Sequence, residues 1–121
     1  MSKRWIMIID NYTDLSKKAI DTLYADISDK LSYILSIKYA NAITAEELKN
    51  HNLIIVAKSG DNRLIEEIEN QNVIQNPQKD EGYTVYVGDS IYNAENQMIV
   101  INGFDSAGLL YGCMDFCNKY L

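Results

Sequence analysis

The chain has 121 residues, 47% of them hydrophobic, with one proline, two cysteines and a net charge of −6. Such a chain can bury one ordinary core and is not of disordered composition. Its acidic balance, without any Lys/Arg cluster, argues against nucleic acid as a partner, and no apolar run is long enough to span a bilayer. Two cysteines do not make a disulfide framework. With Met1 as the native start, the first apolar stretch is too short for a signal peptide, so a cytoplasmic protein is expected.

In chain order, residues 4–10 (RWIMIID) form a near-continuous apolar run, the pattern of a strand covered on both faces. Apolar residues at Ile20, Leu23, Tyr24, Ile27, Leu31, Ile34 and Leu35 keep helical spacing and predict one amphipathic helix over about 16–35. A second strand is expected at about 37–43. Thr44 and Glu47 have capping-box spacing and open a short helix to about residue 50. The run LIIVA, residues 53–57, is the most strongly strand-like segment, and RLIEEIEN, residues 63–70, reads as another short helix. The polar stretch 75–80 holds the only proline and is expected to be a loop. GYTVYVG and QMIVING, joined by turn residues, predict an antiparallel hairpin, since a parallel return needs a crossover. Asp105 stands where an N-cap belongs, before a last helix starting at Ser106. The order β-α-β-α-β-α-β-β-α predicts a mixed α/β fold, one domain over residues 1–121. Its sheet should be largely parallel with a C-terminal antiparallel hairpin and packed helices.

Few residues suggest chemistry. Cys113 and Cys117 fall on one broad apolar face of the last helix with Leu109, Leu110, Met114, Phe116, Tyr120 and Leu121. They read as small buried hydrophobes, since the only histidine, His51, belongs to another element and a metal site would need two more ligands. Gly108 and Gly112 lie on the opposite face, where glycine costs helix stability, so another backbone should come close there. That neighbour is either a loop of the same domain or a partner domain. Ser59, Gly60, Asp61 and Asn62 follow the third strand, and with Asp10 they mark the carboxyl rim of a parallel sheet, where open α/β folds place ligands. A glycine before a helix N-terminus can hold an anion; the same residues also suit turn formation and capping. The remaining carboxylates sit on helix faces or in the loop. No catalytic constellation, cofactor motif or metal motif is visible.

The segment 81–121 resembles the end of the N-terminal accessory domain of certain glycoside hydrolases, the α-glucuronidases and more distantly the β-hexosaminidases and O-GlcNAcases. The resemblance rests on Glu81, Gly82 and Tyr83, on Ile99, Ile101, Gly103 and Asp105, and on Gly108, Leu109, Leu110, Tyr111 and Gly112. It implies a non-catalytic α/β domain placed before a (β/α)₈ barrel that carries the acid/base carboxylates. No catalytic residue carries over. The polar CNKY near the end departs from the family's leucine-rich run. The leading expectation is therefore an accessory domain that packs against a downstream catalytic domain. The alternatives are a free-standing α/β module binding a small anionic or sugar ligand at the Asp10/Ser59–Asn62 rim, and a small enzyme with an unaligned site.

Overall fold

The computed structural model describes residues 4–30 and 35–121. Strands β1 (Trp5–Ile9), β2 (Leu35–Tyr39), β3 (Asn52–Lys58), β4 (Tyr83–Asp89) and β5 (Gln97–Gly103) form one five-stranded sheet in the order β2-β1-β3-β5-β4. All neighbours are parallel except β4, which pairs antiparallel with β5 from Tyr83↔Gly103 to Asp89↔Gln97. Helices α1 (Leu15–Lys30) and α4 (Ser106–Tyr120) cover one face, and α3 (Arg63–Asn70) covers the other, flanked by α2 (Ala45–Asn50). The predicted class, element order and hairpin are all present.

The apolar runs of β1 and β3 follow from that double cover. Met7, Ile54, Val56 and Ile101 pack against Ala19, Leu23 and Ile27 of α1 and Leu109, Cys113 and Phe116 of α4. Ile6, Ile8, Leu53, Ile55 and Val100 point the other way, onto Leu64, Ile65 and Ile68 of α3. Each such fully buried side chain contributes about 1.5–3 kcal/mol by leaving water. The caps form as their spacing predicts. Thr44 and Glu47 close a reciprocal capping box, and the Asp105 side chain accepts from Gly108 N.

Two boundaries differ from expectation. Helix α1 is described over Leu15–Lys30, and Leu35, whose spacing continues the helical pattern, lies in β2 opposite Trp5. Leu31 and Ile34 lie outside the described residues. Strand β2 ends at Tyr39 rather than 43, because a turn closed by Ala42 N donating to Tyr39 O redirects the chain into the Thr44 cap. Leu35 is buried wherever its backbone goes, so an apolar period cannot distinguish the last turn of a helix from the first residue of a strand.

Helix α4 is seated differently from the expected broad stripe. Met114 and Tyr120 are 47% and 56% exposed, whereas Gly108 and Gly112 are buried. A Cβ on Gly108 would run into the Gly82 carbonyl oxygen, and one on Gly112 would lie 2.9 Å from Ile101 Cγ2 and 3.3 Å from Tyr83 Cβ. Gly103 faces the same helix, and a side chain there would collide with the Leu109 backbone. The close neighbour of the glycines is thus the β4–β5 hairpin of this fold, not a partner domain.

This packing sets the sign of two substitutions. Gly112→Ala should destabilise the chain by about 1–3 kcal/mol, because overpacking against Ile101 outweighs alanine's better helix propensity. Gly108→Ala should cost more, since it meets a backbone carbonyl that cannot change rotamer. Urea unfolding of both variants checks the order; a neutral or stabilised Gly108→Ala would contradict it.

Candidate functional site

At the carboxyl end of the sheet, β1 leads into Asp10 and Tyr12, and β3 leads into Lys58 through Asn62. The chain leaves β1 toward β2 on one side and returns to β3 on the other, so the loops after β1 and β3 diverge at a topological switch point. Two distinct environments result.

On the α1/α4 side the polar groups knit into one network. The Tyr12 hydroxyl donates to Asp61 Oδ2 at 2.9 Å, accepts from Lys58 N at 3.0 Å and lies 3.3 Å from Asp10 Oδ2. Burial, followed by the hydrogen bond and charge of Asp61, raises the Tyr12 pKa above the usual phenol value. Lys58 Nζ sits 5.0 Å from the Tyr12 ring centroid, 3.7 Å from Asp14 Oδ2 and 3.9 Å from Asp61 Oδ2. Ser106 Oγ, at the start of α4, donates to Asp14 Oδ2 at 2.7 Å and accepts from Ser16 Oγ at 3.0 Å. The network therefore ties the starts of α1 and α4 to the end of β3.

On the α2/α3 side Asn62 is the link. Its Nδ2 donates to Asp10 Oδ2 at 2.6 Å, while its Oδ1 accepts from Ile65 N at 2.8 Å and caps α3. Glu69 takes the donors of the preceding turn, accepting from Gly60 N at 3.1 Å and from Ser59 Oγ at 2.9 Å. Gly60 holds φ +76° in that turn, a conformation suited to glycine. Asp10, Asp61 and Asn62 line an open cleft of about 780 Å³ between α2 and α3, and Ser59 and Gly60 do not. Of the rim residues singled out in the sequence, three converge on the cleft and two face a carboxylate of their own chain.

The motif residues form a second constellation. Asp105 Oδ1 accepts from Gly108 N at 2.8 Å, and its Oδ2 accepts from Glu81 N at 3.1 Å. These two bonds, Gly108 first, lower the Asp105 pKa. Phe104 N donates to Gly82 O, and Ser59 N donates to Gly103 O. Glu81 holds φ +63°, turning the chain into β4. Glu81, Gly82, Tyr83, Gly103, Asp105, Gly108 and Gly112 thus join the hairpin to α4, while Tyr111 is 45% exposed on the outer side.

The remaining candidates are placed apart. Burial pushes the Cys113 thiol up to about 12 and the Cys117 thiol up to about 11, so both stay protonated at neutral pH. His51 Nδ1 lies 2.9 Å from Glu47 O at the opposite end of β3. Among the described residues no three His, Cys, Asp or Glu side chains gather as metal ligands, and no helix is long and apolar enough to cross a membrane. The roles of Tyr12, Lys58, Asp14 and Ser106 were not read from the sequence. The one available signal was Lys58, a charge that follows the apolar run 53–57 on the same parity as Ile54 and Val56.

The Asp14 carboxyl is held at about 2, below its ordinary 3.8, by the Ser106 hydroxyl first and then the Ser16 amide. Its folded-state value is the lower one, so its stabilisation is present above 3.8 and fades as the pH falls toward 2. Asp14 is 51% exposed, so solvent screens its pairing with Lys58 and the effect is modest. Asp14→Asn should lower the urea midpoint near neutral pH, and the gap from the parent should close on acidification through that window. A gap independent of pH would show that Asp14 acts through something other than its charge.

No protein-family profile and no curated protein matches the chain. Among solved structures, its fold is similar to part of a family GH115 4-O-methyl-α-glucuronidase with specificity for decorated arabinogalactans. That match has a TM-score of 0.61 and 18% identity over 98% of this chain and 14% of that one. It is also similar to part of a GH138 enzyme targeting pectin rhamnogalacturonan II, with a TM-score of 0.53 and 13% identity over 95% of this chain and 13% of that one. At these identities the likeness is one of fold. The match spans 14% of the length of the first glycoside hydrolase and 13% of the second.

Proposed function

We propose that this chain is a non-catalytic accessory domain of a carbohydrate-active glycoside hydrolase, of the kind that precedes an α-glucuronidase-type barrel, and that it packs against the catalytic domain. The observation that carries the reading is the fold match: nearly all of this chain corresponds to a small share of two glycoside hydrolases. The internal roles of the motif residues add support, because they account for the motif without a reaction. The outer side of α4 supplies a surface for packing. Tyr111 and Met114, 45% and 47% exposed, stand one turn apart on it.

Reading the gene beyond the Leu121 codon is the first check. The proposal expects the frame to continue into a barrel, and a natural stop there sinks it. In the longer polypeptide, Tyr111→Ser with Met114→Ser should loosen docking and speed proteolysis after Leu121. In the isolated chain the same pair should shift stability by no more than about 0.5 kcal/mol per site, as exposed positions do. A double variant that leaves proteolysis of the long form unchanged would remove α4 as the packing surface. Purified wild-type chain should not hydrolyse aryl glucuronides or aryl N-acetylhexosaminides. Turnover abolished by a point substitution in this chain would overturn the non-catalytic assignment.

A further inference from the structure

We infer that the switch-point cleft binds a small polyhydroxylated molecule, uncharged or amine-bearing, with the chemistry of a neutral or amino sugar. This goes beyond the accessory-domain reading and does not depend on it. The cleft lies outside the carboxyl ends of β1 and β3, where the crossovers diverge, and its volume of about 780 Å³ falls in the range of small-molecule sites, roughly 300–1,000 Å³. Ile43, Leu48 and Leu64 give it an apolar floor, and Ala40 and Ala45 keep the space above that floor open. Such a floor suits the C–H face of a ring.

The rim decides the charge of the ligand. Asp10, Asp61 and Glu67 line the cleft with one cation, Arg63, and Lys58 stands 3.9 Å from Asp61 Oδ2, which leaves an excess of one negative charge. An anion would meet this excess negative charge. Of the amides at this end, Ile65 N is already taken by Asn62, and Gly60 N, in the turn before α3, by Glu69. A ligand with hydroxyl or ammonium donors meets complementary groups instead. The hydrogen bonds of Asp10 and Asp61 fall on Oδ2, so each carboxylate keeps an oxygen for a donor. Asn41, also on the lining, offers an amide to a ring hydroxyl. An apolar floor ringed by carboxylates and amides is a general arrangement for holding a polyol, with stacking on one face and directional hydrogen bonds at the edge. The anionic alternative raised by the sequence is the one the geometry disfavours.

The test is an amide chemical-shift titration of the isotopically labelled chain with D-glucose, D-glucosamine and D-glucuronate, each to about 50 mM, a ceiling that detects millimolar binding. Glucose and glucosamine should produce saturable shifts in residues 40–48 and 61–67, with glucosamine the tighter, and glucuronate should not. Ala45→Trp fills the cleft from an exposed position and should weaken both responses at least roughly tenfold. Glu67→Gln, also exposed, should weaken glucosamine several-fold and glucose less; it serves if the tryptophan variant misfolds. Absence of saturable shifts with both glucose and glucosamine overturns the proposal. So do shifts confined to another surface, and glucuronate binding as tightly as glucose.

Discussion

The seating of α4 on the β4–β5 hairpin is the constraint on which the rest of the structure depends. The helix approaches so closely that Gly103, Gly108 and Gly112 have no room for a side chain. Asp105 holds that approach in register by accepting from Gly108 N on its own helix and from Glu81 N at the entry to β4. Without the clamp, the antiparallel edge would have little to fix its angle to the parallel strands, because β4 pairs with one neighbour only. With it, Leu109, Cys113 and Phe116 lie over Ile101 and Ile54 and meet α1, which completes that layer. Close packing converts a backbone requirement at three glycines into the position of half the core.

The same seating places the rim. Ser106 is the first residue of α4, and its hydroxyl is shared among Lys58, Asp14 and Ser16. A shift of α4 along the sheet would break those bonds together. The polar network and the glycine contacts therefore reinforce one arrangement, and the loop of β3 takes its shape from both. The other flank of that loop is set by Asn62, which lines the cleft, and by Glu69, which holds the turn before it, both independently of α4.

What could be read in advance follows from which signals are local. Apolar runs, turn residues and caps are local, so the element order, the hairpin, the Thr44 box and the Asp105 cap were legible. The placement of Leu35 in β2 was not, because Leu35 satisfies helical spacing and strand burial alike. The glycines announced a close approach without naming the neighbour, since Gly82 lies 26 residues before Gly108 by numbering and only the fold joins them. Asp10, Asp61 and Asn62 were legible as rim residues from strand ends alone. The contribution of α2 to the cleft was hidden, because Ala40, Ile43 and Leu48 read as ordinary strand and helix residues until the turn after β2 brings them beside α3.

These placements separate two kinds of residue within the segment resembling glycoside hydrolases. The glycines, Asp105 and the Glu81–Gly82 turn each have an internal partner, so physical necessity within the fold is enough to explain them. Such a pattern tracks an architecture and would persist whether or not a glycosidic bond is cut. Tyr111 is the exception. It lies between Leu110, which packs on the core, and Gly112, which packs on β4, yet nearly half of its own surface faces outward. An exposed aromatic one turn from an exposed Met114 adds nothing to the internal packing of α4 on that side. The buried residues of the segment hold its outer surface in place, with Tyr111 and Met114 exposed upon it.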